Sequence, residues 1–279
     1  MPSFGIDWDR INYPLSMRVA ITVGILLVLS LIGVPRERNF PFGFTYSWRG
    51  LGMSCGCEKN EKPLRVLFFT KTAGFRHTSI PVAVEAMRKI CQEHGWEAVF
   101  TEDATVFAEP RMSDFHVVVF LLTTGDVLNR DQERVMEAFI RSGKGFVGIH
   151  AAADTEYDWE WYGKLVGAYF KSHPAIQKAR VIVEDFEHPT VRFLPRVWER
   201  EDEWYDYREN PRSHAKVLST VDEKSYRGGT MGEDHPIVWC REFEGGRSWY
   251  TGMGHTEESY QDELFLRIIA EAIKWVARR

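Results

Sequence analysis

The stretch Phe146-Val-Gly-Ile-His-Ala-Ala-Ala-Asp-Thr155 decides the fold. Its apolar start, Phe146 to Ile149, is long enough for a buried strand and too short for a helix. The chain then turns through small residues with His150 at the bend, which is the outline of a nucleophile elbow. Small neighbours are needed there because the backbone is strained and the strand and the following turn pack closely. A nucleophilic enzyme would place Ser or Cys at the apex; this chain places an imidazole. A lone histidine at a strand end is often only a satisfied core or rim residue. The alanines and Asp154 beside His150 favour a functional role, because open α/β sheets bind ligands beyond the carboxyl ends of their strands.

Upstream, residues 64–70 read as a first strand and 71–78 as a polar loop. A helix follows from about residue 79 to 94, with Pro81 in the first turn, where its missing N–H costs nothing, and Gly95 as the stop. Residues 97–101 form a short second strand. Residues 117–122 are continuously apolar, the mark of a central parallel strand. Asn129, with Gln132 three residues on, makes a capping-box pair for a helix whose buried stripe is Val135, Met136, Phe139 and Ile140. Downstream come a helix at 159–166, a loop at 167–174 and a strand at 179–183. Short strands follow near 197–198, 204–207 and 216–220, then a hairpin pairing 237–243 with 247–251 and a last helix over 257–279. This βαβαβ order predicts an α/β domain with a parallel sheet and helices on both faces.

Residues 1–62 differ in character. Val19 to Val34 is an uncharged apolar run between Arg18 and Pro35-Arg-Glu-Arg38. It is slightly short for a spanning helix of about 20 residues and slightly long for a signal-peptide core. The expected organisation is an N-terminal tail (1–18), one apolar helix acting as membrane anchor or signal (19–35), a linker (36–62) and the globular domain (63–279). Such a protein is membrane-anchored or exported, in a bacterial envelope, with a soluble domain. A mis-assigned start codon (Met17 or Met53) would make it cytoplasmic.

The formal net charge of −5 gives no case for nucleic-acid binding. Aromatic residues reach 14%, ten of them Trp, and several stand beside acids, as in Asp158-Trp-Glu-Trp-Tyr162 and Asp202-Glu-Trp-Tyr205. Rings beside carboxylates suit a sugar face; they are equally ordinary core material. The four cysteines make no disulfide framework. The spacing Cys55-Gly-Cys57 is too weak a signal for a metal site.

Several polar loops fall at predicted carboxyl ends of strands, and in a parallel sheet such ends open on one rim. They carry Arg76 and His77, Thr124 and Asp126, His150 and Asp154, and His255; His173, Glu203 and Trp204 lie in segments that can reach the same rim. Three uses compete. His150 and Glu203 can act as acid and base, since imidazole titrates near working pH. His77, His150, His173 and His255 can instead hold a divalent metal such as zinc, with Glu203 or Asp154 assisting. Or the rim binds a small-molecule carbohydrate without chemistry. Gly74 and Gly125 belong to no phosphate-loop pattern and read as backbone turns. A homo-oligomer stays open.

At these loops the sequence resembles the trehalose-utilisation, ThuA-like family. The matching pieces are Thr70-Lys-Thr-Ala-Gly-Phe-Arg-His77, Thr123-Thr-Gly-Asp126, Gly145 to Thr155, Gly167-Ala-Tyr-Phe-Lys-Ser-His-Pro174, Asp202-Glu-Trp-Tyr205, Pro236-Ile-Val-Trp239 and Gly245 to His255, in order over about residues 64–279. The resemblance implies a class I glutamine amidotransferase-like, flavodoxin-like fold and a role in sugar catabolism, near pathways that oxidise glycosides to 3-keto sugars. Amidotransferases place a nucleophilic Cys at the elbow. With His150 there, and neither Cys91 nor Cys240 in an elbow-like context, thioester chemistry is not expected. Carried over residue by residue, the resemblance implies a site made of His77, His150, Asp154, His173, Glu203 and His255.

Overall fold

The computed structural model describes residues 62–279. The tail, the apolar run with its expected helix, and all but the last residue of the linker lie outside the described residues. Among the described residues no helix is long and apolar enough to cross a membrane.

In chain order the elements are β1 (Arg65–Phe69), α1 (Ile80–His94), β2 (Glu97–Thr101), β3 (Val117–Leu121), α2 (Arg130–Arg141), β4 (Gly145–Ile149), α3 (Glu160–Val166), β5 (Phe170–Ser172), β6 (Gln177–Val183), β7 (Val197–Asp202), β8 (Asp206–Tyr207), β9 (Lys216–Val221), β10 (Pro236–Phe243), β11 (Gly246–Thr251) and α4 (Glu263–Val276). A nine-stranded sheet runs β2-β1-β3-β4-β11-β10-β9-β6-β7. From β2 to β11 the neighbours are parallel; from β11 to β7 they are antiparallel. The sheet is therefore mixed, which corrects the expected parallel sheet. The tight turn at Glu244-Gly245, both at positive φ (46° and 93°), reverses the chain between β10 and β11, and β9, β6 and β7 extend the sheet antiparallel on the far side of β10. Strand β7 buries only alternate residues, as an antiparallel strand with one wet face does.

Helices cover both faces, as the βαβαβ order predicts. Val66, Phe68, Val117, Val119, Val147 and Ile149 share one apolar cluster with α1 and α4. Their immediate neighbours Leu67, Phe69, Val118, Phe120 and Phe146 share another with α2 and α3. This is the period-two alternation of strands with two buried faces, and each such side chain contributes about 1.5–3 kcal/mol.

The helix ends follow the local chemistry. Gly95 takes φ 66° to close α1, and Asn129 and Gln132 complete a reciprocal capping box at α2. Two expectations need correcting. The last helix starts at Glu263, because Asp262 caps Leu264 and Phe265 and Glu258–Gln261 is a separate 3-10 turn. The expected loop 167–174 contains β5, which pairs antiparallel with β8.

The elbow is real. His150 adopts φ 50°, in the left-handed region, and opens the 3-10 turn His150–Asp154. A non-glycine residue there costs on the order of 1–3 kcal/mol and persists only where its surroundings hold it. Here Tyr250 Oη donates to the His150 carbonyl (2.8 Å), Thr155 Oγ1 to that of Ala151 (3.0 Å) and Tyr162 Oη to that of Ala152 (2.7 Å). Gly148 just before it leaves room for these rings, since a Cβ there would stand 3.0 Å from the Tyr250 ring.

Candidate functional site

The carboxyl ends of the parallel strands deliver three imidazoles to one place. His77 comes from the loop after β1, His150 from the end of β4 and His255 from the loop after β11. Their ring centroids form a nearly equilateral triangle with sides of 5.1, 5.0 and 5.2 Å, and each pair meets edge to face. Glu203, just past β7, joins them. Its Oε2 lies 3.4 Å from His150 Nε2 and 3.1 Å from His255 Nδ1, while its Oε1 lies 3.0 Å from His173 Nδ1. His150 Nε2 and His255 Nδ1 are themselves 3.2 Å apart.

Hydrogen bonds fix the orientation of these groups. His150 Nδ1 lies 2.7 Å from the Gly252 carbonyl, so that nitrogen carries the proton and donates. Nε2 then faces Glu203 and His255. Asp202, fully buried, accepts from the backbone N–H groups of Glu203 (3.0 Å), Gly254 (2.9 Å) and His255 (3.0 Å), and so ties the end of β7 to the loop after β11. It also takes hydrogen bonds from Arg200 Nη2 (2.9 Å) and Ser259 Oγ (3.1 Å).

The electrostatics separate the groups. Burial alone would raise the Glu203 carboxyl, but the hydrogen bonds and charges of His150 and His255 win and hold it well below the usual carboxylate range. Burial, reinforced by His150 and His255, pulls His77 down to about 3, so it is neutral at ordinary pH. Burial raises Asp154 despite the hydroxyl of Tyr157, which donates to it over 2.5 Å.

Glu203, His77, His173 and His255 line a cavity of about 350 Å³ together with Asp154 and the rings of Phe75, Phe170 and Tyr205. His150 lies fully buried, with the Tyr205 ring 4.0 Å away. Phe75 is 64% exposed beside His77. Four other residues expected at the rim serve elsewhere. Arg76 is exposed and pairs with Glu102 (2.7 Å). Thr124 is buried and fastens the preceding rim loop through the Phe75 carbonyl (2.7 Å). Asp126 lines a separate cavity with Glu156. Trp204 packs in the core, its indole N–H donating to the Gln177 carbonyl (2.8 Å). The sequence reading missed Phe75, Phe170, Tyr205 and Asp202. The only signal for the last two was their place in Asp202-Glu-Trp-Tyr205, where Tyr205, two residues after Glu203, points back to the site and Trp204 points away.

The ligand-type atoms of His77, His150, Glu203 and His255 all lie within 4.8 Å of one another. Such a set can relay protons or hold a cation. A second group of this kind is Asp206, Glu223 and His235.

The family model for trehalose utilisation, ThuA, matches residues 65–276. The chain belongs to the ThuA family. Solved structures agree in fold. A putative ThuA-like protein from Bacteroides uniformis superposes with a TM-score of 0.67 at 22% identity, covering 85% of this chain and 95% of its own. A putative ThuA-like protein from Parabacteroides merdae gives 0.64 at 19% identity, covering 77% and 90%. A β-galactosidase from Bacillus circulans gives 0.50 at 12% identity, covering 76% of this chain and 31% of the larger enzyme. No curated protein matches the sequence. The ThuA match spans the strands and loops that supply His77, His150, His173, Glu203 and His255.

Proposed function

We propose that this ThuA-family protein is an enzyme of carbohydrate utilisation that moves protons on a glycoside or 3-keto-sugar at the imidazole–carboxylate centre. One observation carries the proposal: the Glu203 carboxylate is met by three imidazoles, those of His150, His255 and His173, beside a cavity lined with aromatic rings. Phe75, Phe170 and Tyr205 give C–H-rich sugar faces a surface to stack on, and Asp154 and His173 give hydroxyls polar partners.

A carbonyl at C3 of the sugar makes the neighbouring C–H acidic, so that abstracting that proton opens elimination or isomerisation. Glu203 is ionised at working pH and so has a lone pair to accept a proton, although the contacts that hold it ionised also weaken it as a base. His173, its side chain 41% exposed and in contact with Glu203, can carry that proton to solvent. His150, buried and locked by the Gly252 carbonyl, holds Glu203 in place and tunes it. A nucleophilic thiol plays no part in this scheme. A run with no charge from Val19 to Val34 supports attachment of the domain to a membrane or its export.

The test is to incubate the protein with 3-keto-glucosides and with their unoxidised parents and to follow each mixture by NMR. Turnover of the keto-glycoside that Glu203→Gln abolishes is the expected result. Saturable binding of sugar without product would make the protein a sugar-binding module instead.

A further inference from the structure

We propose that His77, His150, His255 and Glu203 form the ligand set of one divalent cation of the zinc class, with His173 outside that set. This deepens the assignment of the reaction centre above and does not depend on which sugar is used.

Three features carry it. The first is the convergence itself. Four donors of the types zinc selects, three imidazole nitrogens and one carboxylate oxygen, come from four separate loops to within 4.8 Å of one another. The second is the orientation of His150. His150 spends its Nδ1–H on the Gly252 carbonyl, which is how a metal-bound imidazole is held from outside, and this turns Nε2 into the cluster. That nitrogen stands 3.4 Å from Glu203 Oε2 and 3.2 Å from His255 Nδ1. The third is His77. Its Nδ1 is shielded from solvent and has no hydrogen-bond partner among the described residues, a state that buried polar nitrogens rarely keep. A cation between the rings would engage the inward lone pairs and the carboxylate together.

His173 plays a different part. It meets the other oxygen of Glu203, Oε1, at 3.0 Å, and is half exposed. It therefore orients the carboxylate so that Oε2 is left for the cation. The group of Asp206, Glu223 and His235 is a poorer fit. Asp206 already accepts from the Thr230 N–H and the Ser172 hydroxyl, and Glu223 Oε1 from the Met231 N–H.

The experiment strips the full-length protein with chelator, reloads it with zinc or cobalt(II), and measures bound metal by elemental analysis and the cobalt visible spectrum. Wild type and His173→Ala are expected to hold one equivalent, with the intense cobalt bands of a four-coordinate site. His77→Ala and His255→Ala are expected to lose it while keeping the wild-type circular dichroism. If either alanine variant fails to fold, the glutamine variant at the same position replaces it. Absence of bound metal in the wild type would overturn the proposal. So would metal that survives in the His77 and His255 variants, or metal that disappears only in His235→Ala. Metal bound as expected without any turnover of sugar would leave this assignment standing and remove the enzymatic one. Turnover by wild type that binds no metal would do the reverse.

Discussion

The backbone N–H of His255 donates to Asp202 Oδ1 over 3.0 Å, and the backbone N–H of Glu203 donates to the same oxygen over the same distance. One fully buried carboxylate thus sets the spacing of two site residues that follow the central strand β11 and the edge strand β7 of the mixed sheet. Asp202 is also half of an ion pair with Arg200, whose side chain is only 5% exposed. Replacing Asp202 with Ala leaves Arg200 buried without its main partner and frees the His255 loop. We expect Asp202→Ala to lose about 3–5 kcal/mol of stability in urea unfolding. A loss below about 1 kcal/mol would mean that Asp202 is not the tie between the two segments.

His77 predicts a pH dependence. Its folded pKa, about 3, lies below its unfolded value of 6.5, so between these values the unfolded chain binds the additional proton. The associated stability is present above pH 6.5 and is lost as the pH falls toward 3. His188, brought down to about 4 mainly by burial, acts in the same direction. For metal-free protein, His77→Gln should flatten the acid side of the stability curve by about 1 kcal/mol per pH unit between pH 4 and 6. An unchanged slope in urea titrations across that range would show that His77 is protonated in the fold.

Phe75 is the exposed ring at the cavity mouth. A sugar that stacks on it gains about 0.5–1.5 kcal/mol. Phe75→Ala should therefore weaken KM for a keto-glycoside by about 2- to 10-fold with kcat little changed, and move stability by less than about 0.5 kcal/mol. A fall in kcat at constant KM would place the ring among the reacting groups instead.

The described cysteines, Cys91 and Cys240, are both buried, and burial pushes their thiols up to about 11 and about 12. Neither is poised as a nucleophile. With Cys55 and Cys57 changed to Ser, the native protein should resist a thiol reagent at neutral pH until it is unfolded. Rapid labelling of Cys240 in the folded state would reopen the thiol chemistry that His150 argues against.

Local signals carried the parallel half of the sheet and much of the site. The apolar runs of β1, β3 and β4, the Asn129 capping box and the Gly95 stop are written within a few residues each, and His150 announces itself by the small residues around it. The antiparallel half was harder to see, because β6, β7 and β9 are separated by long polar segments and their pairing is set by tertiary contacts. The four rim residues that do not reach the cavity show the same limit. Thr124 and Asp126 sit in the right loop, yet Thr124 is drawn to the Phe75 carbonyl and Asp126 to the cavity beside Glu156. Trp204 sits next to Glu203, and strand-like alternation turns its side chain into the core. Asp202 was invisible as a clamp because two of its partners, the backbone N–H groups of Gly254 and His255, lie 52 and 53 residues away in the chain.

The claim that Glu203 receives a proton from a sugar carbon has a direct test that needs no net product. A 3-keto-glucoside is placed in D₂O with the protein, and the proton signals at the carbons flanking the carbonyl are followed by NMR. We expect wild type to exchange one of these protons for deuterium at least 100-fold faster than buffer, and Glu203→Gln to return the rate to within about 10-fold of buffer, as loss of a general base commonly does. Exchange at the buffer rate with wild type, or at the wild-type rate with Glu203→Gln, would contradict the account.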